Sequence, residues 1–172
     1  MVVTHIVPHA IDLGISAMEA ASMLSFIGMG SLLGRLIMGR ISDIIGSKRG
    51  MLFASLLMAA AMFWLVGASK LWMIYLFTLV FGFAFGSAAP LNAALIGDCF
   101  GLRHLGLIMG MIEIGWESGA AFGPAFAGYV FDIRESYFLA FMNGGIAALL
   151  AFSLILFVRT PKPEAKGGLP GR

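Results

Sequence analysis

Gly39-Arg40-Ile41-Ser42-Asp43-Ile44-Ile45-Gly46-Ser47-Lys48-Arg49 decides how this chain is read. The stretch joins the end of one long apolar run to the start of the next. It packs an acid, a glycine and two adjacent cations into a short turn between hydrophobic segments. Such a turn can be a helix joint and also a charge-based latch, with Gly39, Asp43, Gly46, Lys48 and Arg49 as its parts. Its cations also bear on which side of a membrane it lies, because Lys and Arg concentrate in cytoplasmic loops.

The composition around that turn fixes the broad class. Apolar residues make up 60% of the chain and charged residues 12%, and the mean hydropathy is +0.96. A soluble domain carries roughly 25% charged residues. This chain cannot cover its own surface with polar side chains, so its natural solvent is lipid. Its 23 glycines suit closely packed membrane helices, where a missing side chain lets backbones approach. A net charge of +2, with no basic stripe interleaved with aromatics, gives no ground for nucleic-acid binding. The single Cys99 excludes an internal disulfide and a cysteine-based metal site. Cys99 reads as a small apolar filler.

Five runs are long enough to span a bilayer as helices, at about 20 residues each. They cover 20–45, 50–68, 71–96, 105–131 and 137–158. The predicted fold is all-α, a polytopic membrane helix bundle. The breaks hold the polar residues: Ser47 to Arg49, Ser69-Lys70, Asp98 to His104, and Asp132 to Ser136. Residues 159–172 contain Pro161, Pro163 and Pro170 and several charges, and are expected to be a disordered cytoplasmic tail. Residues 1–19 are expected to be the end of a truncated helix followed by an outer loop. Met1 to Ala10 is apolar but too short to span, and it lacks the features of a signal peptide.

Lys and Arg also give an orientation. With the turn after Ile45 on the cytoplasmic side, Arg40, Lys48, Arg49, Arg103, Arg159, Lys162, Lys166 and Arg172 lie inside. Lys70 and Arg134 lie outside, and Arg35 lies within the membrane. Eight against two is a strong asymmetry. It puts the C-terminus in the cytoplasm, and a plasma (inner) membrane is the expected home.

Three sets of residues could carry chemistry. Arg35 lies ten residues before the end of the first run. An arginine at that depth costs about 2.5–3.5 kcal/mol on insertion scales. Snorkelling or a structural ion pair could offset the cost. So could an anion, since the guanidinium fork matches a carboxylate. Gly28, Gly30, Ser31 and Gly34 make this helix small-sided, as a cavity-lining helix would be. Glu113 and Glu117, one helical turn apart, share a face. Two carboxylates in a low dielectric resist joint ionisation, which suits proton coupling. Solvation of Glu113 and a hydrogen-bonding role for Glu117 are the plain alternative. His5, His9 and Asp12 form the third set. The four-residue spacing of the histidines can bind metal in a helix, but Pro8 lies between them and no third ligand stands out. A polar patch at the outer mouth, or plain interfacial residues, fits better, and no metal or cofactor is expected.

Glycine spacing adds helix-packing faces. Gly82 and Gly86 are four apart, as are Gly106 and Gly110, while Gly115, Gly119 and Gly123 form a longer series. Pro124 should kink or thin its helix.

The pattern Gly39-x-x-x-Asp43-x-x-Gly46-x-Lys48-Arg49 resembles the cytoplasmic loop signature of the major facilitator superfamily of secondary transporters. It departs at Ile44, where a cation is common. The order that follows resembles the second half of that fold. Pro90 and Asn92 come first, then Asp98-Cys99-Phe100-Gly101, then Gly119 to Gly128, then Asp132 and Tyr137. The resemblance covers nearly the whole chain and implies a six-helix half lacking most of its first helix. His5 to Ala10 would end the seventh helix, and the five runs would be helices eight to twelve. Arg35 precedes the signature glycine by four residues, as does the substrate arginine of monocarboxylate and oxalate–formate type carriers. The oxalate carrier has a lysine in its eleventh helix, whereas the matching helix here holds Glu113 and Glu117, which points away from a dicarboxylate.

The resemblance therefore implies half of a rocker-switch carrier for a small organic anion, working with a missing N-terminal six-helix half and with the proton as a candidate coupling ion. Arg35, Ser31 and Asn92 would bind substrate, and Glu113 and Glu117 would couple the proton. A non-transporting membrane fragment or assembly partner is the alternative, as is a carrier of another substrate. An intramembrane enzyme would need a Ser–His or paired-Asp site within the runs. The histidines lie outside them, and no enzyme is expected.

The Lys and Arg distribution predicts that a reporter active only outside the cytoplasm stays silent when fused after Arg172. A bright reporter there would reverse the topology.

Overall fold

The computed structural model describes residues 2–68, 70–134 and 138–160. Six helices follow one another: α1 Val2–Asp12, α2 Ala17–Ile45, α3 Ser47–Val66, α4 Leu71–Phe100, α5 Leu105–Arg134 and α6 Phe138–Phe157. There is no strand among the described residues. By length and composition α2, α3 and α4 can each cross a membrane, and α6 carries the apolar stretch Phe141–Phe157. α5 is 30 residues long and carries Glu113 and Glu117 within its first half. The expected tail beyond Thr160 and the break residues Ser69, Glu135 and Ser136 lie outside the described residues.

The helix ends correct the expected breaks. α2 starts before Ala20, because Ser16 and Glu19 form a capping box. The Glu19 amide donates to Ser16 Oγ (3.3 Å), and the Ser16 amide donates to Glu19 Oε2 (3.3 Å). At the other end the break narrows to one residue. Gly46 adopts φ +92°, a region that disfavours any side chain, and its amide donates to the Ser42 carbonyl at 2.9 Å. Ser47, Lys48 and Arg49 are then the first turn of α3 rather than a loop. Asp98, Cys99 and Phe100 are likewise the last turn of α4, which stops at Gly101 (φ +73°). Asp132 to Arg134 continue α5. Nor does Pro8 break α1, which runs through it to Asp12.

α2 and α4 pack closest. A Cβ placed on Gly30 would collide with the Leu79 carbonyl and come within 2.9 Å of the Phe83 nitrogen. One on Gly34 would collide with the Phe83 carbonyl. From the other side, Gly82 abuts the Ile27 backbone and Gly86 the Ser31 backbone. Contacts advance together along both helices, Ile27 with Gly82 and Ser31 with Gly86, so the two run parallel. In lipid there is little hydrophobic drive between helices, and close van der Waals contact of this kind is what holds them.

Two apolar clusters flank the seam. The larger joins Ile6, Met23, Ile27, Met62, Leu65, Ile74, Phe77 and Phe141, and so ties α1, α2, α3, α4 and α6 together. The smaller joins Met38, Met51, Ala54 and Leu91 near the α2–α3 joint, with Ile155 of α6 against it. Gly50 lets α3 approach there, since a Cβ on it would sit 2.7 Å from Leu91 Cδ2.

α5 is held differently. Its residues 109–122 are largely exposed, and its anchor is near the far end at the buried Ala127. The expected packing face on its glycines is not formed. A Cβ on Gly106, Gly110, Gly115 or Gly119 would meet nothing within 4 Å. Spacing gave Gly82 and Gly106 the same promise, but only the first faces a neighbouring backbone.

Gly34→Leu or Gly86→Leu should therefore destabilise the chain in mixed micelles by about 2 kcal/mol or more, through overpacking. Gly110→Ala should shift stability by no more than about 0.5 kcal/mol. Equal unfolding midpoints for all three variants would refute the seam's role.

Candidate functional site

Arg35 follows Gly34 on α2. Because Gly34 is pressed against Phe83, the rotation of α2 is fixed and Arg35 is turned outward. It is exposed, and it makes no hydrogen bond or ion pair among the described residues. The other two expected substrate residues lie to either side of this level along the seam. Ser31, half-buried one turn earlier, lies with its backbone against Gly86. Asn92 is half-buried on α4 beside Leu91, at the level of Met38 and so about a turn nearer the joint. The group level with Gly34 on α4 is the buried Ser87, whose Oγ donates to the Phe83 carbonyl at 2.7 Å.

Glu113 and Glu117 stand exposed on the free part of α5, without a hydrogen bond or ion pair among the described residues. A cavity of about 640 Å³ opens beside that helix, between α1, α3, α4, α5 and α6. Gly115, Gly119 and Gly123 form one wall, and Phe81, Phe85 and Trp116 form another. Trp116 stacks obliquely on Phe85, with ring centroids 5.6 Å apart. Thr4 and Asn143 are its polar edges, and neither Arg35 nor the two glutamates line it. The glycine series was the signal in the sequence for this wall. The glycines make room for the cavity rather than for a helix.

The histidines point inward. His5 Nε2 donates to the Pro124 carbonyl at 3.2 Å, linking α1 to α5 at a proline inside the helix. His9 meets Phe141 edge-on at 5.1 Å. Asp12 is exposed at the end of α1, and its charge acts on His9. Glu19 is occupied by the helix cap.

At the joint, Gly39 is half-buried, while Asp43 and Arg49 are exposed and make no ion pair among the described residues. Other contacts hold this end. Ser47 Oγ donates to Asp98 Oδ2 in a short hydrogen bond. Lys48 Nζ donates to the Leu156 carbonyl at 2.9 Å, satisfying a free carbonyl in the last turn of α6. The first turn of α3 thus ties the ends of α4 and α6. Asp98 was legible only as part of a turn, because its partner lies 51 residues away.

Comparison with known proteins agrees with this architecture. The sequence profile of the Major Facilitator Superfamily matches residues 1–172. The chain belongs to this superfamily. Among individual relatives, it is 26% identical to monocarboxylate transporter 13 of Bos taurus, over 88% of this chain and 36% of that protein. It is 25% identical to monocarboxylate transporter 12 of Mus musculus, over 96% of this chain and 35% of that protein. It is 32% identical to the class H tetracycline resistance protein of Pasteurella multocida, over 75% and 32% respectively. The chain spans about a third of the length of these curated relatives. Family and helices together make this superfamily member a multi-pass integral membrane protein.

In this conformation Asp98→Ala should lower stability in micelles by about 1 kcal/mol, the order of one hydrogen bond. Asp43→Asn should leave it unchanged. The reverse order in thermal unfolding would put the acid of the joint, and not Asp98, at the centre of its stability.

Proposed function

We propose that this chain is part of a carrier that moves a small organic anion, a monocarboxylate, across the membrane by alternating access. It acts with a second helical half, the N-terminal one in the family pattern, and its C-terminus lies in the cytoplasm of a plasma (inner) membrane. One observation carries the reading: Arg35 is an exposed cation, without an ion pair among the described residues, on a helix whose rotation is locked by a glycine seam. A substrate carboxylate would engage both arms of its guanidinium. The names of the two monocarboxylate transporters support the same substrate class. Ser31 and Asn92 would contribute polar contacts nearby. Glu113 and Glu117, one turn apart on α5, would take up the coupled proton. Asp43 would pair with the joint's cations in another state of the cycle and latch it.

A second reading, in which the cargo is larger and apolar, is favoured by the cavity lined by Phe81, Phe85 and Trp116.

Vesicles holding the complete carrier, both halves present, distinguish the two. An organic monocarboxylate should bind and its uncharged amide should not. Arg35→Lys should weaken binding by losing the fork geometry, and Arg35→Ala should nearly abolish it. Glu113→Gln and Glu117→Gln should flatten the dependence of uptake on external pH, and Asp43→Asn should slow uptake. Equal binding of anion and amide, or full binding by Arg35→Ala, would make the arginine structural and favour the apolar cargo. Unaltered pH dependence in both glutamine variants would remove the proton role. Unaltered uptake by Asp43→Asn would remove the latch.

A further inference from the structure

The cavity beside α5 joins aromatic rings from one helix to bare backbone from another. Phe81 and Phe85 of α4 line it with their rings nearly parallel, 22° apart and 5.9 Å between centroids. Phe77 continues the ladder beyond Phe81, at 5.4 Å and 29°. Trp116 of α5 tilts against Phe85 and widens this aromatic border. α5 otherwise brings Gly115, Gly119 and Gly123 to the cavity, four residues apart. A Cβ on Gly115 or Gly119 would meet nothing within 4 Å, so the space is open up to the backbone. No Asp, Glu, Lys or Arg lines the cavity among the described residues. Its volume of about 640 Å³ is that of a site for a drug-sized molecule.

We infer that this cavity takes an uncharged, planar aromatic molecule of about two or three fused rings with one hydrogen-bonding group. A flat ring stacks on aromatic side chains in offset or tilted arrangements, and it can lie against glycine backbone where no side chain intervenes. A saturated ring of the same skeleton is thicker and has no π face, so it gains burial without stacking. A charged group would be left without a counter-ion in an apolar site, which is costly. The Asn143 side chain at the polar edge offers both a donor and an acceptor, so it can meet a hydroxyl or a carbonyl. The inference rests on the second reading for its site and names the ligand chemistry which that reading leaves open. It is separate from the anion reading, because Arg35, Ser31 and Asn92 do not line the cavity.

Photolabelling of the complete carrier in nanodiscs, with both halves present, tests the site. The probe is 2-naphthol bearing an aryl azide. After irradiation, peptide mass spectrometry should find the label on the segments holding Phe81 and Phe85 or Gly115 to Gly123, and excess 2-naphthol should remove it. Decahydro-2-naphthol, the saturated skeleton, should compete about threefold less well or worse. Naphthalene-2-sulfonate should compete about tenfold less well or worse. Gly119→Leu should cut labelling about tenfold by filling the open space. Gly110→Leu, on the same helix but outside the cavity lining, should leave it unchanged. In Asn143→Leu, 2-naphthol should lose its advantage over naphthalene. Label spread without regard to these segments, equal competition by the saturated or the charged analogue, full labelling of Gly119→Leu, or an advantage kept in Asn143→Leu overturns the inference. The second reading is decided separately, by the vesicle assay of anion against amide. An aromatic bound here while the anion is the cargo would defeat that reading and leave this inference standing, and an apolar cargo with no label on these segments would do the reverse.

Discussion

Everything else in this fold depends on how closely the α2 backbone can approach that of α4. Gly30 and Gly34 on one helix and Gly82 and Gly86 on the other remove the side chains that would hold the two apart. In water an amphipathic stripe would bury itself and fix the rotation of each helix. In lipid both faces are apolar and that force is weak, so shape must choose. The glycine faces can meet only each other. Once they do, α2 has one rotation, Ile27, Met38 and Ser42 are buried, and Arg35 is forced outward.

The seam also creates two classes of helix. α2, α3 and α4 share backbone contact or buried side chains along most of their length, and α6 closes on α3. The first turn of α3 adds a polar tie at one end, through Ser47 with Asp98 and Lys48 with the last turn of α6. Over its first half α5 has neither device, only Trp116 against Phe85, and its firmer contacts lie at Pro124 and Ala127. A helix pinned near one end can tilt at lower cost than one buried throughout. The two glutamates ride on the pinned helix, and the arginine rides on the buried one.

How much of this was legible varies with the range of the interaction. Mean hydropathy and run length announced the helices, because lipid imposes them on the composition. The capping box at Ser16 and Glu19 is also written locally, yet the apolar run seemed to open later because capping residues are polar. The polar clusters at Ser47 and Asp98 read as loops for a related reason. Charge marks a membrane helix end, but it does not say whether the end lies inside the helix or beyond it. Glycine spacing was the least decidable sign. Gly82 and Gly106 begin equivalent small-residue pairs, and only the approach of another backbone separates a packed face from an open wall. Of the candidate site, Arg35 stood out by cost alone. Its separation from Asn92 depends on the register between two helices, which no single segment encodes.

That register has a chemical consequence. The α2–α4 seam spends its polar capacity on itself, since Ser87 is bound to its own helix and Ser31 is turned to Gly86. No acid lies on α2 within a turn of Arg35, and the nearest, Asp43, is two turns on. The glutamates at a comparable depth belong to α5. A guanidinium in lipid gains most from a planar, charged acceptor that can meet two of its donors at once. Among the described residues no carboxylate makes an ion pair with it. On the proposed reading, its partner comes from outside the α2–α4 pair, as the carboxylate of the substrate.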